Sequence, residues 1–379
     1  MILALSGDIL PTRRLNEPAR TVEDVYDLIR TADLAIGNFE MPLAEGGAPV
    51  QKLLNIRAAP EIAADVPALG FDVLTLANNH AVDYGWPGLE GTLAGLRGHG
   101  LTVVGAGPSE QEAVVPAVCE VAGRRVGVIA FSCLTPTGMS AAPDRPGIAA
   151  LHVETAYEID PWYQMEEPGD PSVVKIRTRV RDNDMAKAKR LVAQARASCD
   201  HLVVTIHWGF GSGEDLAEYQ VPLGRALIEA GADIVHGHHP HAVHPVGFHR
   251  GKPIFFGLGT FIGQQVFLDA PPNVKALWAG MSPDGLVAHI ALSDDPHPTI
   301  ILYPTTLDDD RLPQLARGED FDRIAERLKR LSAPHGAAIT FDDGTLKAAP
   351  VIGCPRLANG QCAGPCRTNQ QTEGNTAHA

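Results

Sequence analysis

The chain has 379 residues, of which 45% are hydrophobic and 20% charged, so it can bury a large core and is expected to be globular rather than disordered. Its 31 basic and 45 acidic residues give a net charge of −14 without a long Lys/Arg block, which argues against nucleic acid or an anionic membrane as a general partner. The length favours two domains, or one large α/β body with a smaller annex.

The N-terminal residues predict a buried strand rather than a targeting segment. The apolar run at 2–6 is too short for a signal peptide or a membrane span, and no basic region precedes it. We therefore expect a cytoplasmic protein. Cys119, Cys133 and Cys199 lie in apolar segments and are expected to be buried, reduced thiols.

Short apolar runs alternate with amphipathic stretches along most of the chain, which predicts an α/β fold with a sheet covered by helices. Strands are predicted at residues 2–6, 34–36, 73–76, 101–104, 126–131, 202–206, 233–236, 254–257, 286–292 and 299–303. Helices are predicted at residues 21–32, 87–99, 186–198 and 221–230.

Two regions interrupt this alternation within a main domain that we expect to span 1–310. Residues about 135–182 contain prolines and mixed charge without clean periodicity, and such a long insertion beside a strand end is expected to be a lid. A helical stretch at 312–331, followed by a hairpin that turns at 342–344, predicts a C-terminal annex over 311–352.

The last residues, 353–379, are rich in Gly, Asn and Gln, and we expect them to form a disordered tail. Cys354, Cys362 and Cys366 lie within it. Their spacing resembles a metal knuckle only loosely and no fourth ligand is nearby, so incidental cysteines are favoured over a metal site.

Five of the predicted strands run into residues that can bind a cation or a phosphate. These residues are Asp8, Asn38 with Glu40, Asn78 with Asn79 and His80, His207 with Trp208, and His238 with His239 and His241. Because ligands bind at the carboxyl ends of parallel strands, we expect these side chains to converge. An extended segment would place His239 and His241 on one face.

The residue types at these strand ends also agree with one another. Carboxylate, carboxamide and neutral imidazole together form the mixed set that holds Mn, Fe or Zn. Taken singly, each residue has a structural explanation: a turn, a helix cap or a hydrogen-bonded core histidine. The set favours a metal site over coincidence, and two such ions could clamp both oxygens of a displacement.

The ordered motifs resemble the CapA-like, poly-γ-glutamate capsule-biosynthesis family, a branch of the calcineurin-like metallophosphoesterases. The resemblance covers about residues 1–265. It is carried by Gly7-Asp8, Asn38-Phe39-Glu40, Leu76-Ala77-Asn78-Asn79-His80 with Asp83-Tyr84-Gly85, Gly105-Ala106-Gly107, Ile206-His207-Trp208-Gly209, Gly237-His238-His239-Pro240-His241 and Gly257-Leu258-Gly259-Thr260-Phe261. Where typical phosphoesterases read Asp-Xaa-His, this chain has Asp8-Ile9-Leu10, so one ligand is missing or supplied elsewhere.

The resemblance implies a four-layer α/β/β/α metallophosphoesterase-like sandwich with a dimetal site at its edge. It implies His80 as the transition-state histidine. The implied metal ligands are Asp8, Glu40, Asn79, His207, His239 and His241. The neighbouring Asn38, Asn78, Trp208 and His238 are predicted to contact the substrate.

The function that the resemblance implies is that of a metal-dependent hydrolase with two divalent ions, Mn, Fe or Zn. A metal-bound hydroxide would attack a phosphate ester or a related bond in a small molecule, with His80 as acid or charge stabiliser. Two alternatives stay open: amide-bond chemistry on a γ-glutamyl-type substrate, and a non-catalytic metal-binding scaffold. The expected partner is the small-molecule substrate, without nucleic acid or membrane, and the oligomeric state is left open.

Overall fold

A computed structural model describes residues 1–15, 19–293 and 298–351. The strands are β1 (Ile2–Leu10), β2 (Leu34–Phe39), β3 (Val73–Thr75), β4 (Thr102–Val104), β5 (Ala106–Gly107), β6 (Ala117–Val121), β7 (Arg124–Ser132), β8 (Gly147–Ile148), β9 (Val153–Ile159), β10 (Val174–Val180), β11 (His201–His207), β12 (Ile234–His238), β13 (Val246–His249), β14 (Lys252–Phe255), β15 (Thr260–Gly263), β16 (Asp284–Ala291), β17 (Thr299–Leu307), β18 (Pro313–Leu315), β19 (Ala337–Asp342) and β20 (Thr345–Pro350). The α-helices are α1 (Arg20–Arg30), α2 (Gly85–Gly98), α3 (Glu110–Ala113), α4 (Pro161–Glu166), α5 (Asp182–Arg196), α6 (Gln220–Glu229), α7 (Pro272–Ala279) and α8 (Glu319–Ser332). Short 3₁₀ helices cover Pro60–Ala64, Val66–Leu69, Pro171–Val173, Gln264–Phe267 and Ala333–His335.

Two large sheets organise the chain. The first has ten strands, in the order β19-β20-β17-β16-β1-β2-β3-β4, with β15 paired to β1 and β18 to β17. The second has six, in the order β13-β14-β12-β11-β7-β6. Neighbouring pairs among β1 to β4 are parallel, as are the β7–β11, β11–β12 and β12–β14 pairs.

The two sheets pack face to face, and helices cover their outer faces. Leu3 and Ile36 of the first sheet share one buried cluster with Val128 and Val203 of the second. A second cluster joins α1 and α2 to the outer face of the ten-stranded sheet, and a third joins α5 and α6 to β7 and β11. This arrangement confirms the four-layer α/β/β/α prediction.

The helices form where apolar side chains recur at the helical period. In α1 the buried residues are Val22, Val25, Tyr26 and Ile29, which lie on one face of the helix. The predicted helices at 21–32, 87–99, 186–198 and 221–230 correspond to α1, α2, α5 and α6.

The insertion at 135–182 contains β8 and an antiparallel ribbon made of β9 and β10, with α4 between them. One face of the ribbon carries Tyr157, Ile159 and Ile176, which are exposed. The sequence did not predict these two strands, since the segment lacks clean alternation between polar and apolar residues. Its role as a lid stays a prediction.

The C-terminal part differs from the predicted annex. The helix expected at 312–331 is wrong in its first turns, because residues Pro313–Leu315 instead form β18 and pair with β17. The hairpin that turns at Asp342, Asp343 and Gly344 is confirmed, with positive φ angles of 39° and 77° at the last two. Its second strand, β20, pairs with β17 and therefore extends the main sheet.

Within the described residues, no helix has the length and apolar character needed to cross a bilayer. Cys119, Cys133 and Cys199 are free thiols, and the last two are buried. The predicted tail at 353–379, with Cys354, Cys362 and Cys366, lies outside the described residues.

Candidate metal centre

Two buried carboxylates come from neighbouring strands of the ten-stranded sheet. The pairing of β1 shifts register around Asp8, both against β2 and against β15. A side chain at the preceding Gly7 would collide with the carbonyl oxygen of Gly259, so only glycine permits this close approach. Glu40 follows the last residue of β2. Both carboxylates are fully buried.

Asn38 holds the two carboxylates together. Its Nδ2 donates to Asp8 Oδ1 at 2.7 Å and lies 3.2 Å from Glu40 Oε2. Asn78 in turn donates from Nδ2 to Asn38 Oδ1 at 3.1 Å and to the Phe39 carbonyl at 2.9 Å. Asn38 and Asn78 are both fully buried and bind protein groups. Their amide groups are engaged with protein groups here, and contact with a substrate stays a prediction.

The histidines come from the facing six-stranded sheet. His207 is the last residue of β11, and its Nε2 lies 2.8 Å from Asn79 Oδ1 and 3.5 Å from Glu40 Oε1. His241 has Nδ1 3.1 Å from Asp8 Oδ2 and Nε2 3.9 Å from Glu40 Oε1. The candidate ligands therefore lie where the carboxyl ends of strands from the two facing sheets meet.

His239 and His241 do not lie on an extended segment, so that part of the prediction is wrong. Their φ angles are 95° and 45°, in the left-handed region that non-glycine residues rarely adopt. Such backbone strain costs about 1–3 kcal/mol per residue and is concentrated at functional sites. The tight turn aims the two rings into different parts of the site.

The side chains form two groups that can each hold a metal ion. One is Asp8, Glu40 and His241, and the other is Glu40, His207 and His239. In each group all the ligand atoms lie within 4.8 Å of one another. Glu40 belongs to both. Asn79 Oδ1 adjoins the second group through His207.

The chemistry of these donors fits a bound cation. Glu40 Oε1 is buried and has no hydrogen-bond partner among the residues that the structure describes. Burial and the neighbouring Asp8 carboxylate raise the pKa of Glu40 well above its ordinary range, although the Lys52 ammonium group lowers it. Burial lowers the pKa of His207 and brings that of His239 to about 3, which keeps both imidazoles in the neutral form that metals bind.

His80 belongs to neither ligand group, and its ring and backbone are hydrogen-bonded to neighbouring residues. Its Nδ1 lies 2.7 Å from Asp83 Oδ2, and its backbone N–H donates to Asn78 Oδ1 at 3.1 Å. Lys52 donates from Nζ to Asp83 Oδ1 and to the Asn79 carbonyl. Burial lowers the pKa of His80 although Asp83 raises it. Sequence reasoning missed Lys52, which lies in an irregular segment that carries no motif.

The structure buries two of the predicted substrate contacts, Trp208 and His238. Trp208 is fully buried, donates from Nε1 to the Phe256 carbonyl at 2.9 Å and stacks on the Phe256 ring. His238 is buried beside Thr205 and His236, and its Nε2 lies 3.1 Å from the His236 carbonyl. Both side chains therefore belong to the core under the site rather than to a surface that a substrate can reach.

A cavity of about 590 Å³ adjoins the ligand set at His241. Ser212 and Gly213 line one side, and Arg323 and Arg327 of α8 line another. The helix of the predicted annex thus forms part of the space next to the candidate metal centre. A larger cavity of about 880 Å³, at the base of the β9–β10 ribbon, is lined by none of the ligand residues.

Residues 2–265 match the family described as "Bacterial capsule synthesis protein PGA_cap". The chain belongs to this family. The chain is 32% identical to the "Probable polyglutamine synthesis accessory protein" of Mycobacterium tuberculosis, over 84% of this chain and 77% of that protein. This confirms the resemblance to the CapA-like family.

Two Bacillus proteins are also similar to this PGA_cap chain. It is 29% identical to the "PGA biosynthesis protein CapA" of Bacillus subtilis, over 64% of this chain and 56% of that protein. It is 27% identical to the "Capsule biosynthesis protein CapA" of Bacillus anthracis, over 70% of this chain and 60% of that protein. The matched part therefore spans a little over half of each Bacillus relative.

Proposed function

We propose that this protein is a metal-dependent hydrolase that binds two divalent ions, Mn, Fe or Zn, and cleaves a phosphate ester or a related bond in a small molecule. The observation that carries the proposal is the pair of ligand groups that share Glu40. A carboxylate common to two adjacent ligand groups would be available to two neighbouring ions, which together would activate water and neutralise charge in a displacement.

In this proposal Asp8, Glu40 and His241 hold one ion, and Glu40, His207 and His239 hold the other, with the Asn79 carboxamide beside it. When bound, the ions supply Lewis-acid activation of water and neutralise charge on the reacting oxygens.

The chain's own groups orient this chemistry. Asn38 fixes the relative positions of Asp8 and Glu40 through its Nδ2, as partners of metal ligands commonly do. His80 commits Nδ1 to Asp83, so Nε2 is the ring atom left to exchange a proton with the substrate or with water. The low pKa of His207 keeps its imidazole free of a competing proton.

The proposed substrate is a small molecule that enters the cavity beside His241. The cavity volume of about 590 Å³ lies within the range of small-molecule sites. A second candidate substrate is a γ-glutamyl amide, which we include because relatives of this chain are named for PGA and polyglutamine synthesis.

Metal content and turnover, measured on one preparation purified without chelator, test the proposal. We expect two ions per chain and Mn²⁺-dependent cleavage of phosphomonoesters or phosphodiesters. Cleavage of γ-glutamyl amides alone would support the second candidate instead. Well under one ion per chain, with no turnover of any of these substrates, would contradict both and leave a non-catalytic scaffold.

Substitution of two ligands tests the site itself. His207→Ala and His239→Ala should each abolish Mn²⁺-dependent turnover and lower the bound metal, with the fold retained, since ligands at strand ends contribute more to the site than to the core. His99→Ala, at an exposed histidine after α2, is the matched control and should leave both unchanged. Normal metal and activity in the His207 and His239 variants would overturn the ligand assignment.

A further inference from the structure

Lys52 is a mostly buried lysine that lies between β2 and the first 3₁₀ helix. Its side chain is 11% exposed. Its Nζ donates to the Asn79 carbonyl at 2.6 Å and to Asp83 Oδ1, and it lies 3.3 Å from His80 Nδ1. One ammonium group therefore contacts a candidate ligand residue and both members of the His80–Asp83 pair.

Asp83 is fully buried, and each of its carboxylate oxygens is engaged. Oδ1 accepts from Lys52, while Oδ2 lies 2.7 Å from His80 Nδ1 and accepts from the Ile56 N–H at 2.8 Å. The Asp83 carbonyl also accepts from the Val50 N–H at 2.9 Å. The segment from Val50 to Ile56 thus wraps around Asp83 and leaves its carboxylate one orientation.

Lys52 pairs with a carboxylate that is itself buried. Taking the Lys52 ammonium group out of water carries a desolvation penalty, which its pairing with Asp83 offsets, and the lysine makes further contacts beyond that pair. Residues that hydrogen-bond to an active-site side chain fix its orientation. The contacts of Lys52 with Asp83 and with the Asn79 carbonyl can therefore orient the site, in addition to stabilising the fold.

We propose that Lys52 is a positioning residue of the metal centre, which clamps the Asp83 carboxylate and the Asn79 carbonyl so that the His80 ring keeps one orientation towards the ligand groups. The proposal rests on the proposed hydrolase function and deepens it. The competing explanation is that Lys52 only neutralises the buried Asp83 and stabilises the fold.

A double-mutant cycle separates these explanations. Lys52→Met, His80→Asn and the double variant are compared with the wild type for kcat, KM, bound metal and melting temperature, all with Mn²⁺ added. Lys52→Met should lower kcat by about 10–100-fold, as is typical when a partner of an active-site group is lost. Because Lys52 acts through His80, the double variant should turn over within about threefold of His80→Asn alone.

A purely structural Lys52 predicts a different pattern. The two losses in kcat would then multiply, or Lys52→Met would lower the melting temperature with kcat unchanged, and either result would overturn the proposal. Lys347→Met, at an exposed lysine that pairs with Asp342 in the C-terminal hairpin, is the control and should change neither kcat nor KM. If Lys52→Met fails to fold, Lys52→Gln replaces it in the same cycle, because its amide retains a donor.

Crystal structures of the wild type and of Lys52→Met test the inference without any turnover. We expect the Asp83 carboxylate or the His80 ring to rotate in the variant, so that the contact between His80 Nδ1 and Asp83 Oδ2 is lost or split between two positions. Unchanged positions of His80, Asp83 and Asn79 would overturn the positioning role. Absence of turnover in the metal-loaded wild type would instead contradict the proposed function, and the two failures are thereby distinguished.

Discussion

Glu40→Gln should stabilise the metal-free protein while removing its response to metal. The Glu40 carboxylate is fully buried, and its Oε1 has no hydrogen-bond partner within the described part of the chain. Burial and the nearby Asp8 raise the pKa of Glu40. A glutamine can place its oxygen towards Asn38 Nδ2, which lies 3.2 Å from Oε2, and its NH₂ group towards His241 Nε2, which lies 3.9 Å from Oε1. The substitution therefore removes a charge and retains the shape.

The sign of the pH dependence follows from the direction in which the pKa of Glu40 is shifted. A carboxyl whose folded pKa is raised above its ordinary value of 4.5 makes the protein less stable as the pH rises above 4.5, because the folded state must keep a proton that the unfolded state releases. The penalty is therefore larger at pH 7 than at pH 5. Each kcal/mol corresponds to a shift of about 2–4 °C in melting temperature for a large domain.

Thermal melts of the chelator-treated protein at pH 5 and pH 7, with and without Mn²⁺, measure both effects. Metal-free Glu40→Gln should melt higher than the wild type at pH 7, with a smaller difference at pH 5. Added Mn²⁺ should raise the melting temperature of the wild type, because metal at a hundredfold excess over Kd adds about 2.7 kcal/mol to the free energy of unfolding. The melting temperature of the variant should rise far less. Glu229→Gln, at an exposed glutamate, is the control. The prediction is contradicted if metal-free Glu40→Gln melts below the wild type at pH 7, or if Mn²⁺ raises the melting temperature of the variant as much as that of the wild type.

Three further substitutions test other parts of the structure. Asn38→Ala should lower metal affinity by about 10–100-fold, measured by titration of the metal-free protein, because the carboxylates lose the group that holds them together; unchanged affinity would remove Asn38 from the site. Trp208→Phe should lower stability in urea, since the hydrogen bond to the Phe256 carbonyl is lost, while KM stays within about twofold; a large rise in KM would restore Trp208 as a substrate contact. Asp284→Asn should destabilise the protein by about 1–3 kcal/mol in urea, because the Asp284 carboxylate is 3% exposed and binds Arg323 through both oxygens. Arg323 itself is 46% exposed and is screened by water, which limits the loss. A change below about 0.5 kcal/mol would show that this pair contributes little to anchoring α8.

The sequence determined the residues of the candidate site better than their arrangement. Asp8 lies near the end of β1, Glu40 follows β2 and His207 ends β11. The local apolar pattern predicts each of these strands and the polar residue close to its carboxyl end. The hairpin at 337–350 was likewise predictable, because Asp343 and Gly344 accept the positive φ angles that its turn needs.

The sequence does not predict features that depend on contacts between residues far apart in the chain. Residue spacing does not show that Trp208 packs on Phe256, so its burial could not be separated from exposure at a site. The positive φ angles at His239 and His241 accompany contacts with Asp8 and Glu40 of the opposite sheet, whereas local preference alone would have favoured an extended segment.

The pairing of Lys52 with Asp83 was also decided only by the tertiary structure. The two residues are 31 positions apart, and neither a periodic pattern nor a motif links them. Local sequence determines which strands form and which polar residues stand at their ends, since backbone geometry and alternating burial act over a few residues. The packing of the two sheets decides which strand ends face one another and which charges are buried together. Glu40, Asp83 and Lys52 are all withdrawn from water only in the folded structure.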